Sequence, residues 1–208
     1  MRLRSRSHTP KSTETPAEAV ETQQTSGPYD FDALPAGLNV DELLDLGSVL
    51  LAPGEGVDLQ LQVDEATGQP AAMLLANPDG AVELRAFAAP RGGAMWAEVV
   101  PALRDDVLAN GGLLADSEGP WGPEVHATFP VTLPDGQTGN QHTRMIGIDG
   151  PRWMLRVTFL GKPATEPHDA QMWHDLLDRV VVRRGTHAVP KGEPLPLTLP
   201  ANARPVQQ

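Results

Sequence analysis

The sequence predicts an α+β fold with a mainly antiparallel sheet of two meanders and two main helices. Apolar and polar residues alternate with period two in the strand regions, and short turns rich in Gly, Pro and Asp join these regions as hairpins. A stretch with apolar residues three and four apart follows each meander, which is the spacing of an amphipathic helix. The order strands, helix, strands, helix argues against a parallel βαβ fold, because tight hairpins join antiparallel strands.

The first meander starts with an alternating run whose apolar members are Val57, Leu59, Leu61 and Val63. This pattern predicts a strand with one buried face. Turns at Thr67-Gly68 and at residues 78–80 separate it from two further strands, over residues 71–76 and 81–88. Residues 48–51 add a strand before this meander.

The first helix is predicted between Met95 and Leu108, where apolar residues recur at helical spacing. Asn110-Gly111 suits its C-terminal cap, because both residue types tolerate the left-handed backbone that ends many helices. Pro101 lies inside this stretch and lacks a backbone donor. We therefore expect a kink or a late helix start there.

The second meander is predicted from runs over residues 125–133, 142–148 and 153–159, with turns at residues 134–136 and 149–150. Thr165 is expected to cap the second helix, with Pro167 in the first turn, where a missing N–H costs little. The apolar stripe of that helix comprises Met172, Trp173, Leu176, Leu177 and Val180. Residues 180–184 are expected to leave the helix as a short edge strand.

The composition limits the classes of function. The chain has 208 residues, no cysteine and a formal net charge of −11. The lack of thiols excludes disulfide scaffolds, cysteine-ligated zinc, iron–sulfur centres and thiol enzymes. The acidic balance disfavours electrostatic capture of nucleic acid. No stretch approaches the roughly 18 apolar residues of a membrane helix. We therefore expect a cytoplasmic protein that binds neither nucleic acid nor membrane.

The chain is expected to have three parts. Residues 1–27 form a disordered basic and polar tail, residues 28–189 a single α+β domain, and residues 190–208 a Pro-rich C-terminal strap or tail. In the last part Leu195, Leu197 and Leu199 alternate. This spacing favours a strap on the domain, with a docking peptide for another protein as the alternative.

Charge is unevenly distributed along the chain. The first 11 residues carry four basic side chains, at Arg2, Arg4, Arg6 and Lys11. Residues 12–84 contain 14 Asp and Glu and no Lys or Arg, whereas 12 basic and 13 acidic residues follow. The tail is either a solubilising arm or an arm that touches an acidic partner or the protein's own acidic face. This distribution predicts a polarised surface that orients a protein partner or a second copy of the chain.

Four strings carry a resemblance to a known family. They are DGPRWMLR at residues 149–156, AFAAPR at 86–91, GPWGP at 119–123 and VVVRRG at 180–185. With these strings at this spacing, residues 28–200 resemble a bacterial family labelled domain of unknown function 3710, which occurs in actinomycetes. The resemblance implies no activity, cofactor or catalytic residue. The chain departs from it at Pro101, where an ordinary helix former is expected.

The element order is also similar to that of PsbP-like α/β/α sandwiches, which are mostly binding or assembly modules. We therefore expect a sandwich of this kind, with helices on both faces of the sheet. Similarity of fold does not transmit function, so candidate sites are judged from their residues.

Arg91, Gly92 and Gly93 are a candidate anion site. A strand, two glycines and a helix start present backbone N–H groups to an anion, with Arg91 assisting. The string has neither the spacing nor the Lys-Ser/Thr of a P-loop. The alternative is a tight turn that needs the backbone freedom of glycine.

Trp121 and three arginines are the candidate binding residues. Trp121 lies in a loop between two Gly-Pro pairs. It is either a plug over the edge of the core or an exposed anchor for a partner. Arg144, Arg152 and Arg156 are expected to cluster near the turn at residues 149–150, as solvated strand residues or as a group that binds a carboxylate.

No catalytic residue is assigned. Residues 30–189 contain two serines, Ser48 and Ser117, and neither lies in a nucleophile elbow, which argues against a serine hydrolase. His126 and His142 lie on neighbouring strands of one hairpin. They are either exposed residues without a role or an acid–base pair.

His174 and Asp178 are four residues apart on one helix face. This spacing is typical of a solvent-facing polar stripe or, with further ligands, of a metal site. We expect neither a metal nor another cofactor.

Two hypotheses of function follow. The first is a non-catalytic binding or adaptor domain that recognises a protein partner, or a second copy, through an exposed surface with Trp121 and the arginines. The second is a small-molecule enzyme or ligand-binding protein that uses His126 and His142, or the anion site at residues 91–93. Convergence of the two histidines in a pocket would favour the second.

Overall fold

A computed structural model describes residues 26–63, 68–132, 136–166 and 170–199. Within these ranges the strands are β1 (Tyr29–Asp30), β2 (Leu44–Asp45), β3 (Val49–Leu51), β4 (Asp58–Val63), β5 (Pro70–Asn77), β6 (Gly80–Ala88), β7 (Leu113–Gly119), β8 (Gly122–Thr132), β9 (Thr138–Asp149), β10 (Trp153–Gly161) and β11 (Val181–Val182). The helices are α1 (Met95–Ala109), α2 (Lys162–Thr165) and α3 (Gln171–Leu177), and a 3₁₀ turn spans Val40–Glu42. Most of the predicted tail, Thr67, Pro134, Pro167 and residues 200–208 lie outside the described residues.

The two predicted meanders join into one large sheet. β6 of the first meander pairs with β10 of the second over nine residue pairs, from Gly80 with Gly161 to Ala88 with Trp153. The strand order is β4-β5-β6-β10-β9-β8-β7, and every neighbouring pair is antiparallel. The predicted α+β class with a mainly antiparallel sheet is thus confirmed. β7 is an addition, because the sequence patterns did not mark residues 113–119 as a strand.

Both faces of the large sheet are covered. On one face Met145 and Met154 pack against Trp96 of α1. On the other face Phe159 belongs to the same apolar cluster as Trp173 of α3, together with side chains of α2 and of a small second sheet. Alternation within each strand produces the two layers, since successive side chains point to opposite faces. The specific likeness to PsbP-like sandwiches stays a prediction.

The small sheet has the order β1-β11-β3-β2. β11 pairs in parallel with β1 and antiparallel with β3. The short strand predicted within residues 180–184 is therefore present, but it lies inside this sheet and not at its edge. The partner that covers β11 lies about 150 residues earlier in the chain, and a local pattern carries no signal of such pairing. The strand predicted over residues 48–51 is β3, and it belongs to this sheet.

Pro101 does not delay α1, so the expected late start is wrong. The helix runs from Met95 to Ala109 with Pro101 inside it. Pro101 and Ala97, whose carbonyl loses its helical donor, are both exposed. Water can satisfy that carbonyl, which lowers the cost of the proline. Asn110 is the C-cap, and Gly111 follows with a φ of +73°, as its sequence predicts.

The predicted second helix is two helices. Thr165 ends α2 instead of capping the longer helix, and its hydroxyl donates to the carbonyl of Lys162. Ala170 is the N-cap residue of α3. Pro163 explains the early start, because proline fits the first turn of a helix. Met172, placed in the apolar stripe by its spacing, is 40% exposed.

The described part of the C-terminal segment lies along β6. The backbone of Ala86 accepts a hydrogen bond from Leu195, and the N–H of Ala88 donates to Glu193. Leu195 and Leu197 are buried, whereas Leu199 is 60% exposed. In the described residues no helix is long and apolar enough to cross a membrane.

Candidate functional site

A carboxylate of the same chain caps the N-terminus of α1. Gly92, Gly93 and Ala94 have φ angles of +98°, +72° and +68°, which turn the chain so that the first N–H groups of α1 face Asp149. The Asp149 carboxylate accepts from the N–H of Met95 at 3.0 Å and from that of Trp96 at 3.2 Å.

This carboxylate fills the position that the sequence assigned to an external anion. Gly92 and Gly93 serve the turn, and Arg91 is exposed beside it. The positive end of the helix dipole and its free N–H groups are compensated from within the chain. The anion-site prediction at residues 91–93 is therefore corrected to an internal cap.

A groove lies between the first turns of α1 and the hairpin of β7 and β8, and we call it the hairpin groove. Its volume is about 570 Å³. Its lining residues are Trp96, Ala97, Val100, Pro101, Trp121, Pro123, Gly147 and Asp149. A side chain at Gly147 would overlap the indole of Trp96, so glycine is needed for Trp96 to lie flat on the sheet. The indole N–H of Trp96 donates to the carbonyl of Pro123 and links α1 to the hairpin.

The hairpin groove continues into a second depression further along α1. Its volume is about 420 Å³, and it shares Val100 and Pro123 with the groove. Charged side chains surround it, namely Arg104, Asp116, Glu118 and Glu124. Arg104 and Asp116 form an ion pair at 2.5 Å. This hydrogen bond and charge raise the pKa of Arg104 and lower that of Asp116.

Trp121 is half-buried at the turn between β7 and β8. Its indole N–H donates to the carbonyl of Gly27 at 3.1 Å. Its ring meets the His174 ring edge-on, with centroids 5.0 Å apart. It therefore closes the edge of the core, as in the first alternative from the sequence, and it also lines the hairpin groove.

A buried ionic cluster lies next to His174, whose ring Trp121 contacts. Glu124 and Arg144 are 4% and 5% exposed, and the closest oxygen–nitrogen distance between them is 3.8 Å. Arg144 donates to Nε2 of His174 at 3.0 Å, and its guanidinium lies 3.9 Å from the centre of the Phe159 ring. In the described residues, Oε1 of Glu124 and Nε of Arg144 have no hydrogen-bond partner.

Burial and charge set the protonation of this cluster. Desolvation lowers the pKa of Arg144, and the Glu124 charge opposes that shift. Desolvation also lowers the pKa of His174, Arg144 lowers it further, and Asp175 raises it in part. Because a guanidinium can only donate, Nε2 of His174 accepts the hydrogen bond from Arg144, as the nitrogen of a neutral ring does. This corrects its expected place in a solvent-facing stripe, and within the described residues it forms no metal-binding group with Asp178.

Ser117 and His126 form a contact that the sequence did not indicate. Oγ of Ser117 lies 2.8 Å from Nε2 of His126, and Oε2 of Glu124 lies 3.6 Å from the same nitrogen. A catalytic triad needs its carboxylate on Nδ1, the opposite ring nitrogen, so that Nε2 is free to act on the nucleophile. The arrangement is therefore that of a polar network on the sheet and differs from a nucleophile–base relay.

His126 and His142 share one face of the sheet without forming a pair. The strand register places His126 opposite Arg144 and His142 opposite Thr128. Nδ1 of His142 is 3.0 Å from the hydroxyl of Thr128. Each ring thus bonds a hydroxyl group on a neighbouring strand, so the convergence that would favour an enzyme is not found.

The three arginines do not form one cluster. Arg144 lies on the face that packs against α3, whereas Arg156 lies on the opposite face, 3.3 Å from Glu83. Arg152 is exposed in the turn before β10. Alternation along β10 separates Arg156 from the face of Arg144, because Arg156 pairs with Gly147 and Phe159 pairs with Arg144. In the described ranges no group of His, Asp and Glu could hold a metal ion.

Two comparisons with known proteins bear on the chain. A family model described as "Protein of unknown function (DUF3710)" matches residues 27–205. A search of curated proteins finds no match. The matched range covers the whole described domain, including Trp121, Asp149 and the C-terminal segment on β6.

Proposed function

The chain belongs to the DUF3710 family, and from that premise we propose that it is a non-catalytic binding domain whose hairpin groove takes a segment of a protein partner. The groove is the observation that carries this proposal. Trp121, Val100 and Pro101 line it together with the backbone of the hairpin. A mostly apolar concave site with few polar groups is typical of a binding pocket.

The chemistry around the groove favours a partner segment with an apolar anchor next to Lys or Arg. Val100 and Trp121 supply apolar contacts, and Glu118 and Asp116 lie at the continuation of the groove. Arg104 balances one of these carboxylates. The unbalanced negative charge steers a cationic segment and fixes its direction, while the aromatic side chain supplies the main contact energy.

The three arginines of the first hypothesis, Arg144, Arg152 and Arg156, contribute less than Trp121 to this proposal. Arg144 is buried and holds the hairpin in place through His174, whose ring Trp121 contacts. Arg156 lies beside Glu83, and Arg152 is exposed at a turn that leads away from β9. We propose that Trp121 contacts the partner and that Arg144 positions it. A cytoplasmic partner fits a chain without cysteine.

The enzyme alternative has a specific feature to test, the contact between Ser117 and His126. Its carboxylate neighbour approaches the same nitrogen as the serine, which does not prepare His126 to accept a proton from Ser117. We therefore favour binding. A Ser117→Ala variant that binds peptide as wild type does is the result expected from a binding domain.

The proposal is tested with an array of short peptides that vary in apolar and basic content. Ala97 is exposed on α1 and lines the groove, so Ala97→Arg fills the groove and repels a cationic segment. Ala102 is exposed on the same helix and does not line it, so Ala102→Arg is the matched control. We expect wild type and Ala102→Arg to retain peptides that combine Arg or Lys with aromatic or aliphatic residues, and Ala97→Arg to lose them.

Trp121→Ala adds a second test, with an expected loss of about 2 kcal/mol or more in binding free energy, as for a hot-spot tryptophan. Because Trp121 also contacts His174, its folding is checked by circular dichroism and thermal unfolding. If the wild-type protein bound peptides of the array without preferring those that combine basic and apolar residues, the proposal would be overturned. Equal binding by Ala97→Arg and Ala102→Arg would do the same.

A further inference from the structure

The outer edge of the large sheet is formed by β7. In the described residues β7 pairs with β8 and with no other strand, so one side of its backbone offers free N–H and C=O groups. Leu113 is 72% exposed, and Ala115, Asp116, Ser117 and Glu118 are exposed as well. An open edge of this length is a template for pairing with another extended segment.

The edge has two chemically different faces. Leu114, Asp116 and Glu118 alternate on the face that carries α1, while Leu113, Ala115 and Ser117 lie on the other. An added strand with cations at every second position would therefore place all of them on the acidic face.

The N-terminal arm of the chain has this pattern. Arg2, Arg4 and Arg6 alternate with Leu3, Ser5 and Ser7. As a strand, the segment would present three arginines on one side and a leucine with two serines on the other. The acidic face of β7 and its apolar and hydroxyl face match these two sides.

The first described residues also lie near the C-terminal end of β7. The carbonyl of Gly27 accepts from Trp121, which follows β7 by two residues. Residues 8–25 connect this point to the arginine segment. Fully extended, they span about 60 Å, against roughly 23 Å for the length of β7, so the connection reaches either end of the strand.

We propose that residues 2–7 add to β7 as a further strand of the same chain, with Arg2, Arg4 and Arg6 facing Asp116 and Glu118. The opposite edge of the sheet is the competing position. β4 has a single carboxylate, Asp58, among alternating glutamines, so its charge is a poorer match. This proposal goes beyond the binding function and does not depend on the hairpin groove, because it concerns the edge of β7 and a segment of the chain itself.

The test is amide hydrogen exchange of the full chain, followed by mass spectrometry of peptides that cover β7. Reversing the three charges in Arg2→Glu, Arg4→Glu and Arg6→Glu should make residues 113–119 exchange about tenfold faster, since an unpaired edge opens more readily. Circular dichroism and thermal unfolding check that the variant keeps its fold. Exchange in β10 serves as the internal control and should not change.

A second variant separates strand pairing from loose charge attraction. Arg2→Ser with Ser5→Arg keeps composition and net charge but moves one arginine to the other side of the segment. We expect faster exchange of β7 than in wild type. Exchange equal to wild type would overturn the strand register and with it the proposal.

The receiving side is tested with a matched pair of charge reversals. Glu118→Lys should speed exchange in β7, and combining it with Arg4→Glu should restore part of the protection. Asp58→Lys makes the same charge change on the opposite edge and should leave β7 as it is. If residues 113–119 lose their protection from exchange in Asp58→Lys and keep it in Glu118→Lys, the assignment of the arm to β7 is overturned.

Measurements at low and high protein concentration distinguish an arm from the same chain from an arm donated by a second copy. Pairing within one chain gives protection that is the same in dilute and concentrated samples, with a monomeric mass by light scattering. Protection that grows with concentration would show that a second copy donates the arm and would overturn the intramolecular proposal. Loss of the groove in Ala97→Arg should leave the exchange of β7 unchanged, so the two proposals fail separately.

Discussion

Removing the carboxylate of Asp149 should destabilise α1 by an amount that the geometry sets. Asp149 accepts from the N–H groups of Met95 and Trp96, and Ala94, the N-cap residue, gives no side-chain bond of its own. Loss of an N-cap costs about 1 kcal/mol in proteins, and loss of a charge at the helix dipole costs up to about 1 kcal/mol more. We therefore expect Asp149→Ala to lower the free energy of unfolding by about 2 kcal/mol.

The assay is urea unfolding followed by tryptophan fluorescence, with Asp149→Asn and Asp58→Ala beside it. Asn keeps an oxygen acceptor without the charge, so its loss should be about half as large. Asp58 is exposed on β4, away from any helix start, and its alanine variant should fall within about 0.5 kcal/mol of wild type. Equal stability of Asp149→Ala and Asp58→Ala would refute the cap.

A linked measurement uses phosphate. Without Asp149 the N–H groups at the start of α1 are free to bind an anion, so phosphate should stabilise Asp149→Ala more than wild type. The same stabilisation in both proteins would mean that the carboxylate does not occupy the anion position.

Three further predictions follow from contacts in the core. In the folded domain the pKa of His174 is below its ordinary 6.5, so the unfolded chain binds more protons and the free energy of unfolding should decrease as the pH falls below 6.5. The His174→Gln variant should show a weaker pH dependence in unfolding curves measured from pH 7.5 to about pH 5. Gly147→Ala forces the new methyl group against Trp96 and should cost about 1–3 kcal/mol, whereas Gly54→Ala in an open loop should be close to neutral in the same urea assay. Leu195→Ala should cost about 2–5 kcal/mol because the side chain is buried, whereas Leu199→Ala, 60% exposed, should leave the thermal midpoint nearly unchanged.

The sequence predicted the strands whose signals are local. β5, β6, β8, β9 and β10 combine alternation with a nearby turn, and each was placed within a few residues. The small sheet was not assembled, because β1 and β11 pair across about 150 residues and are two residues long. β7 was missed, since Ala115, Asp116, Ser117 and Glu118 carry no apolar alternation.

The candidate site was less predictable than the fold for a related reason. The cap on α1 comes from Asp149, 54 residues away, so the glycine turn looked like an open anion site. Ser117 meets His126 only through the pairing of β7 with β8, whereas Glu124 lies two residues before His126 on β8 itself. Trp121 could be singled out from its unusual Gly-Pro surroundings, but its contacts with Gly27 and His174 depend on tertiary packing.

Folding also changes the meaning of the charge distribution. Three carboxylates of the acidic first part are paired with cations of the later part, namely Asp45 with Arg183, Asp79 with Lys162 and Glu83 with Arg156. These pairs hold the two meanders and the small sheet together at modest energy, because most are partly exposed.

The α1-facing side of β7 is different, because Asp116 and Glu118 are both exposed there and, within the described ranges, Arg104 is the one cation that pairs with either of them. The basic arm joins the domain near this strand, at Gly27 and Trp121. Like charges left together on one surface repel one another, so neutralisation by the arm would stabilise the folded chain. This effect should weaken with added salt, since the pairs are exposed and the screening length is about 8 Å at physiological ionic strength. Protection of β7 that does not change between low and high salt would argue against an electrostatic origin.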